Sequence, residues 1–205
     1  IKPNSVTPKI NFTYIIITIR VSNLINKNKM KRILITLLTL LSLTVYGQER
    51  VNEAEKIIFD MVNNYRVSQG LDPVKWSNKV YSAAYYHSSY VALDETPYCH
   101  SQSVDVPGHE EISDPQMRIK KYCGLYSWGT ECIASMRVGG TLGGQPIDIE
   151  EECAKVVARW INSPGHKKAM LFDKEGNGDL TIGAISVVKV KNTNIAMPVL
   201  VLVNE

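Results

Sequence analysis

The 205-residue sequence contains no C-x-x-C pair, no H-E-x-x-H run and no glycine-rich turn set between a strand and a helix. The first absence leaves a zinc knuckle or thioredoxin-type dithiol without support. The second removes a local zinc-peptidase signature, and the third a phosphate-cradling loop. Gly139, Gly140, Gly143 and Gly144 follow no strand pattern and read as a flexible loop. Repeats, low-complexity tracts and linkers are also missing. No apolar run reaches the about 20 residues of a comfortable membrane span.

Acidic residues are absent from the first 47 positions. Seven of the 23 lysines and arginines precede residue 48, leaving 16 basic against 20 acidic residues and a net charge of −4 beyond it. The basic pI of the whole chain therefore misleads. A slightly acidic remainder excludes nucleic acid as the expected partner, because phosphate binding needs a net basic face.

The segment 27–48, KNKMKRILITLLTLLSLTVYGQ, surrounds Met30 with Lys27, Lys29, Lys31 and Arg32. Ile33 to Val45 then carry only Thr and Ser among aliphatics, before Gly47-Gln48. A basic start, a short apolar run and a small residue before a polar one describe a secretory signal. Met30 is the first methionine and residue 1 is Ile, so 1–29 are expected to be upstream translation, 30–47 a signal peptide, and 48–205 a single domain. The expected localisation is secreted, extracellular or periplasmic, with no stable membrane span after cleavage. An even cysteine count in an exported chain suggests disulfides. Three pairings of Cys99, Cys123, Cys132 and Cys153 are open; the short loop Cys123–Cys132 together with Cys99–Cys153 is preferred.

Ala54, Ile57, Ile58, Met61, Val62 and Tyr65 repeat at helical spacing, with Asn52 as the expected cap, Glu55 three residues on and Gly70 at the end. A second helix from Ser77 to about Leu93 aligns Val80, Ala83, Ala84, His87 and Val91, which makes His87 a buried, hydrogen-bonded core histidine. Residues 94–113 are irregular. Asp114-Pro115 predicts a capped short helix ending at Gly124, and Asp148 caps a long helix whose stripe is Ile149, Cys153, Val156, Val157, Trp160 and Ile161. Residues 181–190 and 195–203 read as a hairpin, with Pro198 favouring an edge strand. Helices on either side of a small antiparallel sheet give an α+β fold. Residues 173–180, DKEGNGDL, imitate an EF-hand start, but Ala184 stands where the bidentate Glu is needed, so a polar turn is expected. His109, in a proline-glycine loop, reads as solvated.

The stretch WINSPGH, residues 160–166, breaks the long helix before Pro164. Ser163 suits an N-cap and Pro164 the first position of a new helix, which puts His166 at its third position. The positive end of that helix disfavours an imidazolium, so a neutral ring fit to bind a metal or hydrogen-bond partner is expected.

Several segments now align. Asn63-Asn64-Tyr65-Arg66, Gly70-Leu71, Pro73-Val74-Lys75-Trp76, Cys99-His100-Ser101, Gly129-Thr130-Glu131-Cys132-Ile133-Ala134, WINSPGHKKAML and Ile182-Gly183 resemble, in order, the motifs of the CAP superfamily. This is the family of cysteine-rich secretory, antigen-five and pathogenesis-related proteins, also called the SCP domain, and the chain is most similar to bacterial-type members. The resemblance implies a three-layer α-β-α sandwich with a cleft. It also implies that the cleft histidines are His100 and His166 and one cleft glutamate is Glu131, a set able to hold zinc or another divalent metal. The family's second glutamate position is Ser163 here, Cys132 replaces an Asn, and Thr130 separates Gly129 from Glu131. A binding module is the preferred reading, with Ser163, Trp128, Tyr126 and Trp160 helping to hold a lipid, glycan or peptide. The alternative is a metal-assisted hydrolase, peptidase or esterase-like, with Glu131 as general base. A Ser163–His166 nucleophile pair is a remote option, since no orienting acid is near in sequence.

Overall fold

A computed structural model describes residues 50–93, 99–102, 113–125, 127–172 and 179–204, all within the unit Gln48–Glu205. The expected upstream and signal segments, His109, Tyr126 and residues 173–178 of the EF-hand-like stretch lie outside the described residues. The elements are α1 (Asn52–Ser68), β1 (Lys75–Trp76), α2 (Asn78–Val91), α3 (Pro115–Cys123), β2 (Trp128–Ile133), β3 (Met136–Arg137), β4 (Thr141–Leu142), β5 (Gln145–Pro146), α4 (Ile149–Asn162), α5 (Pro164–Leu171), β6 (Ile182–Lys189) and β7 (Ile195–Asn204). Among them no helix is long and apolar enough to cross a membrane.

The main sheet runs β1-β6-β7-β2, with β3 also paired to β7, while β4 and β5 form a separate small hairpin. All pairings in the main sheet are antiparallel except β1 with β6, which is parallel. The sheet is therefore mixed, and not wholly antiparallel as expected. The β6–β7 hairpin runs from Ile182↔Val203 to Lys189↔Ala196. Its tip closes through Asn192, whose φ of 60° is tolerated by a short amide side chain.

Both faces of the sheet are covered, which is why β6 and β7 read as near-continuous apolar runs instead of alternating ones. Alternation decides only which layer each residue meets. Ile185, Val187, Ala196, Leu200 and Leu202 pack with Ile58, Val62, Val156 and Trp160 of α1 and α4. Ala184, Val188, Val199, Val201 and Val203 pack with Val80, Ala84 and Tyr90 of α2 and Ile119 of α3. This is the α-β-α sandwich implied by the sequence motifs.

Local signals mostly hold. The Asp114 side chain accepts the Met117 N–H at 2.9 Å, and that of Asp148 accepts the Glu150 N–H at 2.8 Å and the Glu151 N–H at 3.2 Å. Gly70 ends α1 at φ +80°, where the Leu71 N–H reaches back to the Arg66 carbonyl at 3.0 Å. Asn52 does not cap α1: Val51 occupies that position, and no side chain caps the helix. Glu55 instead turns inward, taking the backbone N–H of Val187 at 3.0 Å and so tying α1 to β6. Motif residues Asn63 and Arg66 are structural. The Asn63 amide pairs with both backbone groups of Val74, at 2.9 and 3.1 Å. Buried Arg66 donates to the carbonyls of Asp72, Met170 and Leu180.

Pro198 is not at an edge, as its residue type suggested, but in β7, an interior strand. Its carbonyl accepts the Ala134 N–H at 3.0 Å. The N and O of one strand residue face the same neighbour, so the missing donor falls where β2 ends and β3 begins, and no ladder bond is lost. The expected disulfides are not formed: no S–S bond joins Cys99, Cys123, Cys132 or Cys153. Cys132 faces the α1/α4/α5 layer, whereas Cys123 ends α3 on the other face, so the sheet separates them. Cys153 lies against Ala54 of α1, while the Cys99 carbonyl sits beside His87 of α2, again across the sheet.

Gly129 is required by a close approach. A Cβ there would collide with the Leu202 carbonyl oxygen of β7. Gly129→Ala is expected to cost about 1–3 kcal/mol through overpacking at the β2–β7 seam. An unchanged urea midpoint would show that the two strands are not in this contact.

Candidate functional site

β2 is an edge strand, and its side chains reach both layers. Thr130 and Cys132 face α5: the Thr130 hydroxyl donates to the Ala169 carbonyl at 2.7 Å, and the Cys132 thiol lies 3.7 Å from the His166 carbonyl. Glu131 lies between them in sequence and faces α2 and α3. Around this edge the segment 99–102, arriving from the α2 side, meets α5. The rings of His100 and His166 come to 6.1 Å between centroids.

Glu131 is buried, with 2 % side-chain exposure. Arg118, equally buried on α3, donates to its two carboxylate oxygens at 3.0 and 2.8 Å. The same guanidinium donates to the His100 carbonyl at 2.8 Å and to the Gln102 side chain at 2.9 Å, which fixes the segment that carries His100. The His100 Nδ1 lies 2.9 Å from Glu131 Oε1. Burial opposes ionisation of Glu131. The hydrogen bond from His100 and the nearness of His87 and Arg118 outweigh it and hold the carboxyl below its ordinary range. Arg118 is the permanently charged member of that set.

His87, on α2, is fully buried as expected, with Nε2 3.0 Å from the Cys99 carbonyl and 3.6 Å from Glu131 Oε1. A carbonyl only accepts, so Nε2 carries the proton. Nδ1 has no hydrogen-bond partner among the described residues. Burial pushes the pKa of His87 down to about 4, and Arg118 and His100 push the same way against the pull of Glu131.

The break at Ser163-Pro164 behaves as the sequence suggests: α4 ends at Asn162 and α5 begins at Pro164. Ser163 does not cap α5 with its side chain. Its Oγ is instead 2.9 Å from His166 Nδ1. Burial and then the nearby His100 lower the His166 pKa, so the ring is neutral at neutral pH. A carboxylate only accepts, so His100 donates through Nδ1 and leaves the Nε2 lone pair uncommitted. His166 likewise has Nδ1 engaged. Neither Nε2 has a hydrogen-bond partner among the described residues.

His100, Glu131, His166 and Ser163 thus come together at one edge. Glu131 enters as a buried support and not as a cleft-facing ligand. No cluster of three or more His, Cys, Asp or Glu able to hold a metal is formed among the described residues. Trp128 is half-buried against Phe172, with ring centroids 4.7 Å apart. Trp160 belongs to the core, its indole N–H donating to the Ile133 carbonyl at 3.0 Å, so it is not a ligand contact. Burial raises the thiol pKa of Cys132 and of Cys153, which makes both inert. Sequence reasoning missed Arg118, one of three basic residues on a short polar helix. Nothing in its spacing sets it apart from Lys120 and Lys121.

The cysteine-rich secretory protein family profile, CAP, matches residues 59–174, which hold His100, Arg118, Glu131 and His166. The chain belongs to the CAP family. Among solved structures, the CAP chain is similar to an outer surface protein from Borrelia burgdorferi, at 20% identity and a TM-score of 0.56 over 78% of this chain and 99% of that one. It also matches an extracellular protein containing a SCP domain from Bacillus anthracis str. Ames, at 18% identity and a TM-score of 0.48 over 73% of this chain and 40% of that one. No curated protein matches it. The Borrelia likeness adds independent support for the fold of the CAP domain.

Proposed function

We propose that this CAP chain is an exported binding module. On this reading the histidine pair at the β2 edge takes a small lipid, glycan or peptide ligand, and His100 and His166 are its polar contacts. One observation carries the reading. Two imidazoles from opposite layers meet with their Nδ1 atoms occupied, by Glu131 and Ser163, and with no partner for either Nε2 among the described residues. Export is supported by the signal-like segment 30–47 and by the description of the Borrelia relative as an outer surface protein.

A divalent ion such as zinc fits this donor set through two nitrogens, His100 Nε2 and His166 Nε2. Glu131 would act as the carboxylate that orients a ligand histidine. Such an ion would supply Lewis acidity to a ligand oxygen. Two protein ligands are fewer than the three of catalytic zinc sites, so weak affinity is expected. The hydrolase alternative draws no support from the geometry. Glu131 is sealed from solvent, bound by Arg118 and held ionised at a low pKa, which suits neither access to water nor proton abstraction. Ser163 does contact His166, but no carboxylate orients that histidine among the described residues.

A zinc titration followed by melting temperature tests the ion. Stabilisation is expected to follow mass action, about 2.7 kcal/mol at one hundred times Kd. Either His100→Ala or His166→Ala is expected to abolish it. Stabilisation that survives both variants would place the ion elsewhere. Turnover of peptide or ester substrates lost in Glu131→Gln, with its fold intact, would restore the hydrolase reading.

A further inference from the structure

The opposite edge of the sheet holds a concavity. β1 closes that edge, at the other end of the strand order from β2. Beside it, the first two turns of α1 and Trp76 border an open hollow of about 310 Å³, lined by Arg50, Asn52, Glu55, Lys56, Phe59 and Trp76. Trp76 leaves 42% of its surface exposed, while its ring packs edge-on to Phe59 at 5.1 Å and lies 5.6 Å from Tyr81. Its indole N–H is spent on the Asn78 side chain at 3.1 Å, so the ring has its π surface and no donor left to offer.

The charged wall is built from inside. Arg50 sits over the Tyr81 ring at 4.7 Å and donates to Glu55 at 2.9 Å. Glu55 is buried, and its other oxygen takes the Tyr81 hydroxyl at 3.2 Å and the Val187 N–H at 3.0 Å. The acid is thus consumed in holding the guanidinium still. Lys56, exposed on the next turn of the rim, adds a second cation, and among the described residues no second acid lines the cavity.

We propose that this cavity is a second ligand site, separate from the histidine pair, and that it takes an acidic sugar of the hexuronic type. The C–H face of the sugar would lie on the exposed Trp76 ring. Its carboxylate would meet Arg50 and Lys56, and Asn52 would reach a hydroxyl. The volume is at the small end of ligand pockets and suits one or two sugar rings. A fixed guanidinium favours a planar carboxylate. A peptide adding to the sheet is disfavoured, because β1 offers only two residues of edge to pair with. A lipid tail is disfavoured by the charged rim.

The test is a titration of the protein with digalacturonic acid, followed by tryptophan fluorescence, beside the neutral disaccharide galactobiose and the acidic peptide triglutamate. Trp160 is buried and Trp128 lies on the far edge strand, so a signal removed by Trp76→Phe comes from this cavity. Binding in about the millimolar range is expected. Lys56→Glu, on an exposed position, should weaken it about tenfold or more, and galactobiose should bind at least about tenfold more weakly. His100→Ala should leave the affinity unchanged. Four results would each overturn the proposal: no binding at about 10 mM, equal binding of galactobiose, tighter binding of triglutamate, or a loss in His100→Ala matched by none in Lys56→Glu.

Discussion

Glu131→Gln is expected to destabilise the protein by about 3–5 kcal/mol, because it leaves the buried Arg118 guanidinium without its counter-charge. Arg118 and the Glu131 side chain are 1% and 2% exposed, so water replaces neither partner. For a unit of this size each kcal/mol lowers the melting temperature by roughly 2–4 °C, which predicts a fall of about 6–20 °C. Arg118→Met alone should be comparably damaging, since it strands a buried carboxylate and frees the segment that carries His100. The double variant Arg118→Met/Glu131→Leu should recover a large part of the loss, as buried ion pairs replaced whole by apolar groups often do. Strictly additive single effects in that cycle would show that the two groups are not coupled as described.

The second large effect is acid lability. Folded His87 titrates near 4 against an ordinary value of 6.5. Between those values the unfolded chain takes up a proton that the folded one refuses, so stability falls as pH drops from about 6.5 to about 4. At about 1.4 kcal/mol per pH unit this amounts to about 3 kcal/mol. Glu131 acts at lower pH. Its folded pKa is depressed, so its contribution is complete above about 4.5 and is lost as pH falls through the folded value. His87→Gln retains an N–H for the Cys99 carbonyl and removes the titration. Unfolding midpoints of that variant should fall less steeply between pH 6.5 and about 4.5, where His166, its pKa also lowered, still titrates, and should go on falling below. An unaltered slope in His87→Gln would move the acid sensitivity to another group.

The sequence alone determined the helices and their caps at Asp114 and Asp148, the break at Ser163-Pro164, the terminal hairpin and the burial of His87. These are written within a few residues of each other, as periodicity, a capping side chain or a proline that stops a helix. Ordered motifs also carried the family and the pairing of His100 with His166. Tertiary structure alone decided the rest. Arg118 looks like a surface cation until the sandwich closes over it, and that closure turns Glu131 from a cleft ligand into a sealed support. Glu55 leaves the capping role for a strand 132 positions away in sequence. The sheet separates cysteines that a loop-length argument would have joined. The physical reason is common to all three: the free energy of a buried charge or thiol depends on what the other layer places against it, and no local spacing encodes that.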